Sequence, residues 1–98
     1  MDSGTAIDIL RSHESELQRL GVRHAALFGS VARGESHADS DLDVMIEIDK
    51  ATVRTIYDFA GLCRFIGELF PITVDVANRS MLKPHMRPEA ERDAIYAF

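Results

Sequence analysis

From Leu42 to Ile48 the chain alternates in polarity with a period of two. Leu42, Val44, Ile46 and Ile48 are apolar, whereas Asp43, Met45 and Glu47, with Asp41 just ahead of them, take the other parity. Only an extended strand sends neighbouring side chains to opposite sides. This segment therefore predicts a sheet with one buried face and one acidic face. Two more short apolar runs supply further strands. His24–Phe28 is closed by Gly29, as a buried strand running into a turn would be. Ile72–Val76 places Ile72, Val74 and Val76 on one face and Thr73 and Asp75 on the other.

Helical spacing fills the remainder. Ile9, Leu10, Leu17 and Leu20 share a face of a first helix, with Ser3 or Thr5 as its cap and Gly21 at its end. Residues 52–70 carry Val53, Ile56, Phe59, Ala60, Cys63, Ile66 and Leu69 at helical steps before Pro71 stops them, and Tyr57 and Phe59 are expected to pack. Pro88, followed by Glu89 and Glu91, opens a last helix expected to turn Ala94, Ile95 and Phe98 inward. The predicted order is α, β, short α, β, α, β, α. Its fold class is α/β (α+β).

With 98 residues, 46% hydrophobic and 28% charged, the chain is expected to form one domain over 1–98. Its net charge of −5 has the wrong sign for holding nucleic acid through phosphate neutralisation. No stretch approaches the roughly 20 apolar residues of a membrane span, and MDSGTAIDIL is unlike a signal peptide, so a cytoplasmic protein is expected. The single Cys63 forms no internal disulfide and is expected in the core. His13, His24, His37 and His85 lack metal-ligand spacing and are expected to be structural.

Chemistry concentrates in GSVARGESHADSDLDV, residues 29–44. Gly29, Gly34 and Ser36 have the spacing of a Walker phosphate loop, but Glu35 stands where a lysine must meet phosphate. Asp39, Asp41 and Asp43 start like a calcium loop, which Val44 and Lys50 then break at the required glycine and glutamate. Asp41 and Asp43 fare better as a pair on one strand face, about 6.5–7 Å apart at Cα. Asp75 adds a third carboxylate if its strand is adjacent. Such acids repel one another, and divalent cations reverse that repulsion, two of them about 3.5–4 Å apart being the usual clamp for phosphoryl displacement. Oxygen ligands favour Mg²⁺ or Mn²⁺. Beside them, the turn at Gly29 offers backbone N–H groups to a phosphate, Ser30 a hydroxyl and Arg33 a positive charge. Lys83 and Arg87 are within sequence reach of the triphosphate or of a partner, although solvated charges are the plainer reading.

The pattern G-S-x-x-R-G at Gly29, Ser30, Arg33 and Gly34, followed by S-D-x-D at Ser40, Asp41 and Asp43, resembles the DNA polymerase β-like nucleotidyltransferases. The length, Asp75 and the ending MLKPHMRPEAERDAIYAF are similar to the minimal nucleotidyltransferase group, over nearly the whole chain. The resemblance implies the nucleotidyltransferase (polymerase β-like) fold, a small mixed sheet with flanking helices packed on one face and an open acidic edge. It implies that Gly29, Ser30, Arg33 and Ser40 bind nucleotide, and that Asp41, Asp43 and Asp75 are catalytic and hold two Mg²⁺, for which Mn²⁺ can substitute. It also implies an antitoxin that transfers AMP from ATP to a tyrosine of a HEPN-domain ribonuclease toxin. The alternative is a non-catalytic antitoxin that neutralises its partner by occlusion. Transfer to a small molecule is disfavoured, since 98 residues leave no helical domain to build an acceptor pocket.

Overall fold

A computed structural model describes residues 1–35 and 40–98. Ser36, His37 and Asp39, weighed above in the Walker-loop, histidine and calcium-loop readings, lie outside the described residues. The chain opens with α1 (Ser3–Ser12), capped by Asp2, whose Oδ1 accepts from the Thr5 N–H at 2.7 Å; neither Ser3 nor Thr5 is the cap. Ala6, Ile7 and Leu10 face the core. The helix breaks at His13 (φ −112°) and resumes as α2 (Glu14–Arg19), so the expected single helix is two. Leu17 stays buried while Leu20, expected inward, is exposed. Gly21 ends the pair at φ +106°, where a Cβ would also meet Val53 Cγ2 at 2.7 Å.

The next elements carry the site. They are β1 (Val22–Phe28), the one-turn α3 (Gly29–Ala32) and β2 (Leu42–Ile48). After them come α4 (Ile56–Glu68), β3 (Val74–Asn78), a 3₁₀ turn (Arg79–Met81), α5 (Arg87–Asp93) and β4 (Ile95–Tyr96). A capping box fixes the start of α4: the Thr55 hydroxyl accepts from the Asp58 N–H, and the Asp58 carboxylate accepts from the Thr55 N–H. That start is four residues later than the hydrophobic spacing predicts, and it leaves Ile56 and Tyr57 77% and 84% exposed, not packed. Ala60 is exposed too, and Cys63 and Phe59 are half-buried.

The four strands lie in the order β3-β2-β1-β4. β1 pairs antiparallel with β2 and β4, and β2 pairs parallel with β3, so the sheet is mixed as predicted. The predicted parity of β2 holds: Leu42, Val44 and Ile46 join Ala25 and Leu27 of β1 in the main core, together with Leu10, Leu17, Leu62 and Ile66. Burying each such leucine or isoleucine contributes roughly 1.5–3 kcal/mol.

The opposite face departs from expectation. α5 packs across it, with Ala90 buried against Ala26 and Met45 and with Phe28, Leu82 and Ala94 around them, so helices cover both faces. The last segment ends as β4 against Ala26 and Leu27, and Ile95, expected inward, is exposed while Ala97 is buried. Among the described residues no helix is long and apolar enough to cross a membrane.

Candidate active site

Strand register brings the acids together. Asp43 pairs with Phe28 of β1 on one side and with Asp75 of β3 on the other, so Asp43 and Asp75 stand at the same level on the same face. Asp41 lies just ahead of β2 and is exposed, as is Asp75, whereas Asp43 is half-buried. The Asp43 carboxyl titrates above its ordinary value. Burial is the main cause, the negative charges of Asp75 and Asp41 add to it, and Arg33 opposes it. Asp43 thus feels both neighbouring carboxylates.

Gly29 closes the site from the side of β1. It adopts φ +74°, a left-handed conformation that side chains rarely tolerate. A Cβ at Gly29 would collide with the Asp43 carboxylate, and its distance to Asp43 Cγ would be 3.0 Å. The turn that leads into α3 therefore rests directly on the central acid. Ser30, half-buried, follows in that turn, and its carbonyl accepts from the Glu35 N–H at 2.8 Å. Ser40 is half-buried immediately before Asp41.

Arg33 is not an unpaired charge. Its Nε donates to Glu35 at 2.9 Å and its Nη1 to Asp93 of α5 at 2.8 Å, and these carboxylates raise its pKa further. It clasps α5 to the end of α3. Arg87 makes a long contact with Glu91 at 3.8 Å on α5. Arg79, not singled out from the sequence, bridges Glu47 and Glu91 at 3.3 and 2.8 Å and ties α5 to β2.

Phe28, Gly29, Arg33, Leu82, Met86, Glu89, Ala90 and Asp93 line a cleft of about 170 Å³ beside the turn. Three of these residues, Glu89, Ala90 and Asp93, come from α5, and two, Leu82 and Met86, from the segment before it. Sequence spacing missed them, because Ala90 is the only buried apolar residue in a charged helix and gives no periodic signal.

The donor set of three aspartates suits a hard divalent cation such as Mg²⁺ or Mn²⁺. The mutual repulsion at Asp43 is what such an ion relieves. Among the described residues no three acidic, histidine or cysteine side chains are already gathered as a metal cage.

Known proteins share this chain's sequence and fold. The nucleotidyltransferase domain family matches residues 10–97. The protein adenylyltransferase MntA of Thermococcus cleftensis is 33% identical over 89 residues, which cover 90% of this chain and 88% of that one. A solved structure described as a minimal nucleotidyltransferase superposes with TM-score 0.71 at 33% identity, over 97% of this chain and 95% of the other. A toxin-antitoxin structure with AMP-PNP shares the fold at TM-score 0.69 and 16% identity, over 90% of this chain and 72% of that one. The chain belongs to the nucleotidyltransferase family, in its minimal branch, and is a nucleotidyl-transferring enzyme.

Proposed function

We propose that this nucleotidyltransferase is a Mg²⁺-dependent protein adenylyltransferase and the antitoxin of a toxin-antitoxin pair. It transfers AMP from ATP to a hydroxyl, a tyrosine by expectation, of a HEPN-domain ribonuclease toxin in the cytoplasm. The observation that carries the reading is the seating of the Gly29 turn on Asp43, with Asp75 at the same level of the sheet. A phosphate-binding turn and a cation-binding acid pair in contact are what a nucleoside triphosphate needs. The relative named protein adenylyltransferase supports a protein acceptor, and the toxin-antitoxin neighbour supports a toxin.

Asp41, Asp43 and Asp75 would hold the cations. Mg²⁺, when bound, supplies the positive charge that stabilises in-line displacement at phosphorus. Backbone N–H groups of the turn at Gly29 and the Ser30 hydroxyl orient the polyphosphate, and Ser40 sits beside Asp41 on the nucleotide side. Arg33 reaches phosphate by exchanging a carboxylate partner. The acceptor hydroxyl attacks the α-phosphorus as pyrophosphate leaves, and positioning supplies most of the rate. Asp75, exposed at the sheet edge, is the carboxylate best placed to take the acceptor's proton.

The test is to mix the protein with its toxin and Mg·ATP and weigh the toxin by intact mass spectrometry. Wild type is expected to add one or more AMP units, and the Asp41→Asn/Asp43→Asn variant none. A toxin left unmodified, yet inhibited equally by both proteins, would establish occlusion instead.

A further inference from the structure

The cleft between α3 and α5 has a chemistry that the phosphate turn does not explain. Its walls, Phe28, Leu82, Met86 and Ala90, are apolar, and its polar groups are Glu89, Asp93 and Arg33. Asp93 is already bound by Arg33 at 2.8 Å. Glu89, in the first turn of α5, is exposed and makes no ion pair among the described residues. The carboxylates of Glu89 and Asp93 repel phosphate, so beyond Arg33 and the turn the cleft does not extend the triphosphate path. A flat, uncharged ring that carries hydrogen-bond donors fits it, because apolar walls take the ring faces and a carboxylate accepts from an amino group. The volume of about 170 Å³ is well below the roughly 300–1,000 Å³ of pockets that enclose whole ligands, which restricts the occupant to a fragment.

We infer that this cleft is the nucleobase pocket of the nucleoside triphosphate, and that Glu89 selects a purine bearing an amino group. The inference rests on the nucleotidyl-transfer reading and adds to it the source of base selection. Gly29 belongs to both the turn and the cleft, so a nucleotide with its phosphates on the turn has its base within reach of α5. Glu89 then meets the exocyclic amine, while Met86, half-exposed at the mouth, covers one ring face.

The experiment is calorimetric binding to the full chain with Mg²⁺, comparing ATP with purine riboside triphosphate, which keeps the ring and lacks the amino group. Wild type is expected to prefer ATP by about 10-fold or more, the scale of one hydrogen bond to a charged group. Glu89→Ala should abolish that preference, and Met86→Ala should weaken both ligands alike. Both side chains are at the surface, so the fold is expected to survive, which circular dichroism checks. Equal binding of the two nucleotides by wild type, or a preference that survives Glu89→Ala, would overturn the inference even if the toxin is modified. Selective ATP binding without toxin modification would uphold the pocket and refute the protein-acceptor reading. No binding of ATP at all would overturn both.

Discussion

Gly29 and Gly34 form a natural pair of probes. Both adopt φ +74°, so replacing either with alanine imposes the same backbone strain, about 1–2 kcal/mol for a non-glycine residue in the left-handed region. Their surroundings differ. Among the described residues nothing lies within 4 Å of a Cβ at Gly34, while at Gly29 the new atom collides with the Asp43 carboxylate. Moving that carboxylate off its favoured rotamer costs about 0.5–1.5 kcal/mol more. Gly34→Ala should therefore destabilise by about 1–2 kcal/mol, and Gly29→Ala by about 1.5–3.5 kcal/mol by the same sum. For a domain of about 100 residues each kcal/mol shifts Tm by roughly 4–8 °C, so urea titration with thermal melts resolves the difference. The function should separate more sharply than the stability. Gly34→Ala is expected to keep nucleotidyl transfer at a temperature where it is folded, whereas Gly29→Ala displaces Asp43 and loses it. In an Asp43→Ala background the extra cost at Gly29 should shrink, since only the Cβ of residue 43, 3.3 Å away, remains, as a double-mutant cycle would show. Equal destabilisation by the two glycine variants, with transfer retained in both, would refute the seating of the turn on Asp43.

Asp43 itself predicts a pH dependence. Its folded pKa is raised above the ordinary 3.8, so the folded protein holds that proton more tightly than the unfolded chain. Its contribution therefore falls as pH rises from about 4 through the folded pKa, and stays level above it. Asp43→Asn should melt higher than wild type near pH 7, with the advantage shrinking below about pH 4, and an unchanged or lower Tm at pH 7 would count against carboxylate repulsion. Ser30→Ala should lower kcat/KM by about 1–3 kcal/mol with little change in Tm, and an unchanged rate would place the polyphosphate elsewhere. Asp93→Asn removes the charge of a partly exposed clasp, so a loss of about 0.2–1 kcal/mol that fades in high salt is expected by urea unfolding.

Where the fold was readable from the sequence, the reason was local. The alternation at Leu42–Ile48 and the parity of Val74, Asp75 and Val76 announce strands, and the apolar parity of each packs on the main core as expected. Two misplacements came from capping. Asp2 rather than Ser3 or Thr5 starts α1, and Thr55 with Asp58 starts α4 late, which leaves Ile56 and Tyr57 outside the core. The closing segment was opaque for another reason. β4 has two residues, too few to alternate, and its pairing with Ala26 and Leu27 is a contact across most of the chain. The candidate site divides in the same way. Asp41, Asp43, Gly29 and Ser30 lie in one segment, whereas the level placement of Asp75 needed the β2–β3 register, and the cleft on α5 needed the helix to cross to the second face.

The most direct measurement is a calorimetric titration of the protein with Mn²⁺, alone and with ATP. Convergence of Asp41, Asp43 and Asp75 on bound cation predicts saturable binding by wild type, stronger with ATP present, and none by the folded Asp41→Asn/Asp43→Asn variant. No saturable binding by wild type in either condition, or equal binding by the variant, would contradict it.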